Sequence, residues 1–240
     1  MTKPIDKTAI RNAATVIALR DRFTAPKVLM GQRGEKAAFM PNKFVFPGGA
    51  LDSDDFDVPL AEGFHPICAA RLAEGCPRDI SSALGVAAIR ELWEETGLIL
   101  GAKGPWHGDI PDDWKDFAEA GYLPSARPLQ FVCRAITPMG RPRRFDARFF
   151  LVDADEIASD LDDFSGAEDE LSHLQWIPLE EVRSFDLPFI TEVVLAEVAH
   201  RAHATEPPSN VPFFHNGIEE SLFLRLGGRG PLTGKQIADD

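Results

Sequence analysis

The sequence predicts an α/β protein with helices layered around one mixed sheet. Three observations predict it. Short apolar strand patterns alternate irregularly with helical ones along the chain. The 240 residues are enough for a single core without disulfide or metal staples, and their length favours one domain. Hydrophobic residues at 44% and charged residues at 26% are ordinary globular values, which exclude a disordered or fibrous chain.

The elements follow in chain order. Thr15–Leu19 (TVIAL) and Val28–Met30 (VLM) read as strands. The polar, Pro26-containing segment between them reads as a hairpin connection. Phe44-Val45-Phe46 is a short strand that stops at Pro47-Gly48-Gly49. Residues 50–80 are irregular and acidic, with a helical stretch near Pro66–Glu74 broken by Gly75 and Pro77. Ser82–Thr96 is the strongest helix, with Asp79, Ser81 and Ser82 as N-cap candidates and Gly97 as its stop. Gly101–Arg127 reads as a long loop or small excursion. Leu129–Ile136 and Ala147–Val152 are strands joined around Pro138-Met139-Gly140. Nine of the eighteen residues from Asp153 to Glu170 are acidic, which makes that stretch a solvated loop with a short helix. Leu174–Ile177 is a strand, Pro178–Phe185 a short helix and Pro188–Ala204 a longer one; the tail adds a strand near Leu222–Leu226.

The net charge of −13 repels nucleic-acid polymers and anionic membranes over most of the surface. It leaves room for a small phosphorylated substrate wherever cations are supplied locally. No run approaches eighteen consecutive apolar residues, which excludes a membrane-spanning helix. Met1–Arg11 shows no apolar leader segment, and the three cysteines (Cys68, Cys76, Cys133) form no CxxC. Reduced thiols and a cytoplasmic location are the expectation.

Chemistry concentrates in Arg90-Glu91-Leu92-Trp93-Glu94-Glu95-Thr96-Gly97-Leu98. At about 100° per residue, with Glu91 at 0°, Glu94 falls near 300° and Glu95 near 40°. The three carboxylates share one face, while Val86, Ile89, Leu92 and Trp93 occupy the other. Arg90 stands four residues before Glu94 and can pair with it. Taken alone, this pattern equally describes a solvated helix face. As a cluster it calls for a hard divalent cation, Mg²⁺ or Mn²⁺ in its place, which shares its ligands with substrate phosphates. A backbone carbonyl at Gly48 or Gly49 can complete the set, since no side chain blocks the approach.

F-P-G-G-A (Phe46–Ala50) followed by A-A-I-R-E-L-W-E-E-T-G-L (Ala87–Leu98) resembles the Nudix box, G-x5-E-x7-R-E-U-x-E-E-x-G-U with U aliphatic. The second half matches at Arg90, Glu91, Leu92, Glu94, Glu95, Gly97 and Leu98, and the first half at Gly49. Arg90 lies 41 residues after Gly49 where the pattern has 14, so 27 extra residues interrupt the box. Six residues after Gly49 stands Asp55; eight before Arg90 stands Ser82. Which of them, if either, takes the first acidic position stays open. The resemblance spans roughly residues 10–200. It implies one Nudix domain over 1–240, an α/β/α sandwich with an insertion at 56–81 and an extension at 205–240. It also implies Mg²⁺-dependent hydrolysis of a diphosphate linked to another moiety. By position, Glu94 and Glu95 would be metal ligands with Gly49, Glu91 a ligand or the base, and Arg90 their orienting partner. The insertion would either cover the site or build a homodimer contact.

An interrupted box is similar to that of the coenzyme A diphosphatase branch, as is Arg143-Arg144-Phe145-Asp146-Ala147-Arg148 after Ile136-Thr137-Pro138. Coenzyme A or an acyl-coenzyme A is therefore the leading substrate. The alternatives are ADP-ribose, NADH or a nucleoside triphosphate, or a Nudix-like nucleotide sensor without turnover. That branch is peroxisomal, whereas this chain ends Ile237-Ala238-Asp239-Asp240 and not S-K-L, so location does not carry over. Arg141, Arg143, Arg144 and Arg148 form the densest basic cluster, suited either to a 3′-phosphate or to the acidic 153–170 loop. Arg33 and Lys43 are weaker phosphate candidates. His173 and Glu170 could reach the site from a loop but read first as loop surface; His200 and His203 have a metal-like i, i+3 spacing but read as a solvated helix face. Trp106, Trp114 and Phe149 could stack on an adenine but read first as core.

Overall fold

In chain order the elements are β1 (Ile10–Arg20), β2 (Lys27–Arg33), β3 (Phe44–Val45), β4 (Gly48–Ala50), α1 (Pro66–Ala73), α2 (Ser81–Thr96), β5 (Gly101–Lys103), α3 (Lys115–Glu119), β6 (Tyr122–Pro124), β7 (Gln130–Ile136), β8 (Arg144–Asp153), β9 (Leu171–Pro178), α4 (Phe189–Arg201), β10 (Val211–Asn216) and β11 (Ser221–Leu226). The computed structural model describes residues 9–37, 39–74, 76, 80–217 and 221–227.

The main sheet runs β11-β10-β7-β8-β1-β2-β3, with β4 also on β1 and β9 also on β2. β1 lies inside it because its residues are apolar on both sides. Ala14, Val16 and Ala18 enter one core layer; Ile17 and Leu19 enter the other. β1 pairs in parallel with β8, from Ile10–Arg144 to Leu19–Asp153, and antiparallel with β2 at Leu19–Val28. The first layer is closed by α2, through Leu84, Val86, Ile89 and Leu92. The second is closed by α4, through Val194, Leu195 and Val198. Helices on both faces of a mixed sheet make the α/β/α sandwich that was expected.

Several local expectations change. The chain does not leave the sheet at Pro47: it resumes as β4, with Gly48–Ala50 opposite Thr15–Ala13. Gly101–Arg127 contains a two-stranded β5–β6 ribbon and α3. The segment after Pro178 makes only a 3₁₀ turn at Val182–Ser184. β10 had no anticipated counterpart. At the start of α2, Ile80 holds the N-cap position without a side-chain hydrogen bond, so neither Ser81 nor Ser82 caps the helix. Asp79 lies outside the described residues, as do Gly75, Pro77 and the 237–240 terminus. Gly97 ends the helix in the left-handed region, φ 74°, as expected of a glycine stop.

The 56–81 stretch joins the same core. Cys68 and Leu72 of α1 pack in the α2 layer with Phe64 and Ile80. The end of α1 is stitched to the chain after α4: Gly227 N–H donates to Glu74 Oε2 at 2.7 Å, and Arg71 donates to the Ser209 carbonyl. Among the described residues no helix is long and apolar enough to cross a membrane.

Candidate functional site

The carboxylate face of α2 is buried. Glu91 is 9% and Glu95 2% exposed, and Glu94 is half-buried. This corrects the expectation of a solvent-accessible face. Periodicity put the carboxylates together, but β4 and the segment after it fold over them. A Cβ on Gly49 would stand 2.5 Å from Glu91 Cδ, so only glycine leaves room for that carboxylate. Gly48 N–H donates to Glu95 Oε2 at 2.7 Å.

Arg90 is the hub. Its Nη1 donates to Glu91 Oε1 and to Glu94 Oε2, each at 3.0 Å. Its Nε and Nη2 donate to Asp55 Oδ1 and Oδ2 at 2.9 and 3.2 Å, and Nη2 also reaches the Ala50 carbonyl at 3.1 Å. Asp55, 2% exposed, further accepts from Asp52 N–H at 2.8 Å. Of the two residues left open by counting, Asp55 is thus the one that meets Arg90. It sits on a 3₁₀ turn, Asp54–Phe56, at the entrance of the insertion, and Ser82 lies in the first turn of α2.

Burial dominates the electrostatics. It pushes Glu91 up to about 7, with Glu94 and Glu170 adding to the effect and Arg90 opposing it. Burial likewise raises Glu94, against Arg90. Glu95 is pushed well above the usual carboxylate range by burial and then by Glu91, against the Gly48 N–H. Burial works against the Arg90 charge, yet Asp55 and Glu91 hold its guanidinium above its ordinary value. Simultaneous ionisation of the three carboxylates is thus disfavoured in the protein alone.

The basic cluster dissolves. Arg144 is buried and donates to the Thr137 and Asn216 carbonyls. Arg148, 1% exposed, donates to Asn12 Oδ1 at 2.7 Å and to Cys76 Sγ at 3.3 Å. Alternation along β8 sends both, with Asp146, into the layer below α1, where Arg134 clasps Asp146 at 2.9 and 2.7 Å. Arg144 and Arg148 bond to these groups and not to the acidic 153–170 loop. Arg141 and Arg143 are exposed on the β7–β8 turn. Lys43 pairs with Asp186. His173 and His200 are exposed, and His203 stacks on Phe23. Trp114 and Phe149 are core, and Trp106 donates to the Tyr122 carbonyl beside Trp114.

Glu170, read first as loop surface with the alternative of reaching the site from its loop, comes close enough to act on the cluster. Arg33, a phosphate candidate by sequence, donates from Nη2 to Glu170 Oε1 at 2.5 Å. Glu170 and Arg33 both act electrostatically on Glu95, and Glu170 also on Glu91. No spacing in the sequence singles out Glu170 from its acidic neighbours; only the β2–β9 pairing, Arg33 opposite Leu171, brings it there.

The donor set fits a hard divalent cation. Among the described residues no three His, Cys, Asp or Glu side chains already stand as a cation cage. Arg90 accounts for that, since it draws Glu91 and Glu94 to itself. Two observations favour a cation nevertheless. Glu95 Oε1 is buried with no hydrogen-bond partner, an expensive state for a carboxylate oxygen. The Glu91 carboxylate packs directly on the Gly49 backbone, so a carboxylate and a peptide group adjoin there as oxygen donors. Oxygen-only donors of this kind suit Mg²⁺ or Mn²⁺.

No family model matches the chain. Among curated proteins it is 33% identical over 184 residues to one of Caenorhabditis elegans named as nudix hydrolase 7, covering 71% of this chain and 52% of that one. It is 26% identical over 179 residues to the acyl-coenzyme A diphosphatase NUDT19 of Gallus gallus, covering 52% of this chain and 47% of the relative. The chain therefore spans about half the length of the curated relatives it matches. A solved NUDIX hydrolase from Alicyclobacillus acidocaldarius superposes with a TM-score of 0.60 at 28% identity, over 82% of this chain and 94% of that one.

Proposed function

Because the chain belongs to the Nudix hydrolase family, we propose that it is a Mg²⁺-dependent diphosphatase, with Mn²⁺ as substitute. It cleaves a nucleoside diphosphate linked to another moiety, coenzyme A or an acyl-coenzyme A being the leading substrate. The observation that carries this reading is the buried Glu91–Glu94–Glu95 cluster around Arg90, with Glu95 Oε1 unpartnered. The choice of coenzyme A is supported by the likeness to the NUDT19 relatives, which are named as acyl-coenzyme A diphosphatases.

Glu91, Glu94 and Glu95, with the Gly49 carbonyl, would hold the cation. When bound, it neutralises charge on the diphosphate and lowers the barrier to attack by water. The protein's own groups do the rest. Arg90, anchored by Asp55, fixes Glu91 and Glu94 relative to each other, so the cluster is organised before substrate arrives. Glu91, whose basicity burial raises toward neutral pH, is suited, when ionised, to take a proton from the attacking water. Arg141 and Arg143, exposed on their turn, remain available for the 3′-phosphate; Arg144 and Arg148 are engaged internally.

The test is product analysis on coenzyme A with Mg²⁺. Formation of 3′,5′-ADP and 4′-phosphopantetheine is expected. Binding without turnover on coenzyme A, ADP-ribose and NADH alike would make the chain a sensor. Comparison with 3′-dephospho-coenzyme A isolates the arginines: equal kcat/KM for the two substrates would remove Arg141 and Arg143 from the site.

A further inference from the structure

Three arginines converge away from the carboxylate cluster. Arg71 lies in the last turn of α1, Arg127 shortly before β7, and Arg201 at the end of α4. All three act electrostatically on one buried sulfur, Cys68 Sγ, which sets them around a common centre. β4 lays the carboxylate cluster beside Ala13–Thr15, whereas β7 begins at Gln130, level with Leu151 and Ile17. None of the three arginines exerts a leading influence on Glu91, Glu94 or Glu95.

Their partners are carbonyls, not carboxylates. Arg71 Nη2 donates to the Ser209 carbonyl and Arg201 Nη2 to the Glu206 carbonyl. Among the described residues none of the three forms an ion pair, in a chain whose acidic residues outnumber its basic ones 38 to 25. The carboxylates on the same elements are engaged or turned elsewhere. Glu74 Oε2 accepts from Gly227 N–H, the Glu206 side chain is exposed, and Glu197 acts on Arg201 without reaching ion-pair distance. Arg22 adds a like charge near Arg201, and its own carboxylate partner is Asp153.

Hydrogen-bonding capacity is left over at the same place. Nε of Arg71 and Nε of Arg201 are buried without a partner, as is Oε1 of Gln130, whose amide donates to the neighbouring Thr205 carbonyl. Arg127 is exposed and makes no hydrogen bond among the described residues. Carbonyls offer only partial charge, so three like cations around one centre repel one another until an anion joins them. Guanidinium forks match phosphate oxygens in both charge and geometry.

We propose that Arg71, Arg127 and Arg201 form a second anion site, apart from the Glu91–Glu94–Glu95 cluster, which takes a phosphate group, free or esterified. Two helices supply Arg71 and Arg201 as fixed donors, and Arg127 reaches in from its loop. The inference does not depend on the reading of the carboxylate cluster as a cation site.

The experiment is isothermal titration calorimetry of the whole chain with sodium phosphate and, separately, with glycerol 3-phosphate. EDTA is present, and chloride holds the ionic strength constant. The proteins are the unaltered chain, Arg127→Gln, Arg127→Lys, Arg201→Gln, and Arg141→Gln combined with Arg143→Gln, with circular dichroism confirming each fold. Arg127→Gln and Arg201→Gln should each weaken binding about tenfold or more, the scale of a lost hydrogen bond to a charged group. Arg127→Lys should recover part of the loss, since it keeps the charge but not the fork. The Arg141 and Arg143 combination should bind within twofold of the unaltered chain. An ester bound at least as tightly as free phosphate identifies an esterified ligand; weaker binding of the ester identifies the free ion. No saturable binding of either probe at millimolar concentration would overturn the proposal. So would affinity of Arg127→Gln or Arg201→Gln within twofold of the unaltered chain, or a loss confined to the Arg141 and Arg143 combination.

Discussion

Replacing Asp55 by alanine should unfold the protein more easily than any change on its exposed surface. Asp55 gives both oxygens to Arg90, at 2.9 and 3.2 Å, and one also accepts from Asp52 N–H. The pair is almost dry, with side chains 1% and 8% exposed. After truncation Arg90 Nη2 keeps the Ala50 carbonyl, but Nε loses its partner inside the protein. Removing one member of a buried pair costs about 3–5 kcal/mol when the other charge is left without compensation; Arg90 keeps Glu91 and Glu94, so the lower end, about 3 kcal/mol, applies. For a chain of this size that is a fall in Tm of roughly 6–12 °C, at about 2–4 °C per kcal/mol. Asp55→Asn keeps one acceptor and should fall between the two. The assay is urea unfolding followed by circular dichroism, with diphosphatase activity measured on the folded fraction. Activity should drop as well, since Arg90 orients Glu91 and Glu94. An Asp55→Ala variant within 1 kcal/mol of the unaltered chain (about 0–1 being the scale of an exposed ion pair) would refute the reasoning.

Three further outcomes are expected. Glu91 lies near 7 folded against about 4.5 unfolded, so its contribution is fully present below about 4.5 and is lost as pH rises through 7. In EDTA, urea unfolding should show stability lower at pH 8 than at pH 5 by a contribution on the order of 3 kcal/mol, and Mg²⁺ should restore it; a Mg²⁺ effect that does not grow with pH would contradict this. Gly49→Ala drives a Cβ into the Glu91 carboxylate, so activity should fall about 100-fold and Mn²⁺ binding with it, as titration would show; unchanged kinetics would mean that Glu91 does not need that cradle. Glu95→Gln removes a charge that burial already disfavours, so the cation-free protein should melt no earlier than the unaltered chain while losing most activity. A large drop in Tm without loss of turnover would reverse the role assigned to Glu95.

The sequence by itself determined what backbone periodicity controls. A 3.6-residue repeat places Glu91, Glu94 and Glu95 side by side and sets Arg90 against Glu94, whatever surrounds the helix. Gly97 had to end that helix, and a near-continuous apolar run had to make β1 a strand buried on both sides. The tertiary structure decided which of these groups met a partner. The burial of Glu91 and Glu95 depends on β4, more than forty residues earlier in the chain, and the choice of Asp55 over Ser82 depends on the path of the insertion. Four nearby arginines looked alike as a string, but the parity of β8 turned Arg144 and Arg148 into the protein, while the turn before it left Arg141 and Arg143 outside. Glu170 read first as loop surface until the pairing of β2 and β9 set it beside Arg33. Local geometry is written in neighbouring residues, whereas charge pairing, burial and desolvation arise only when distant segments exclude water from each other.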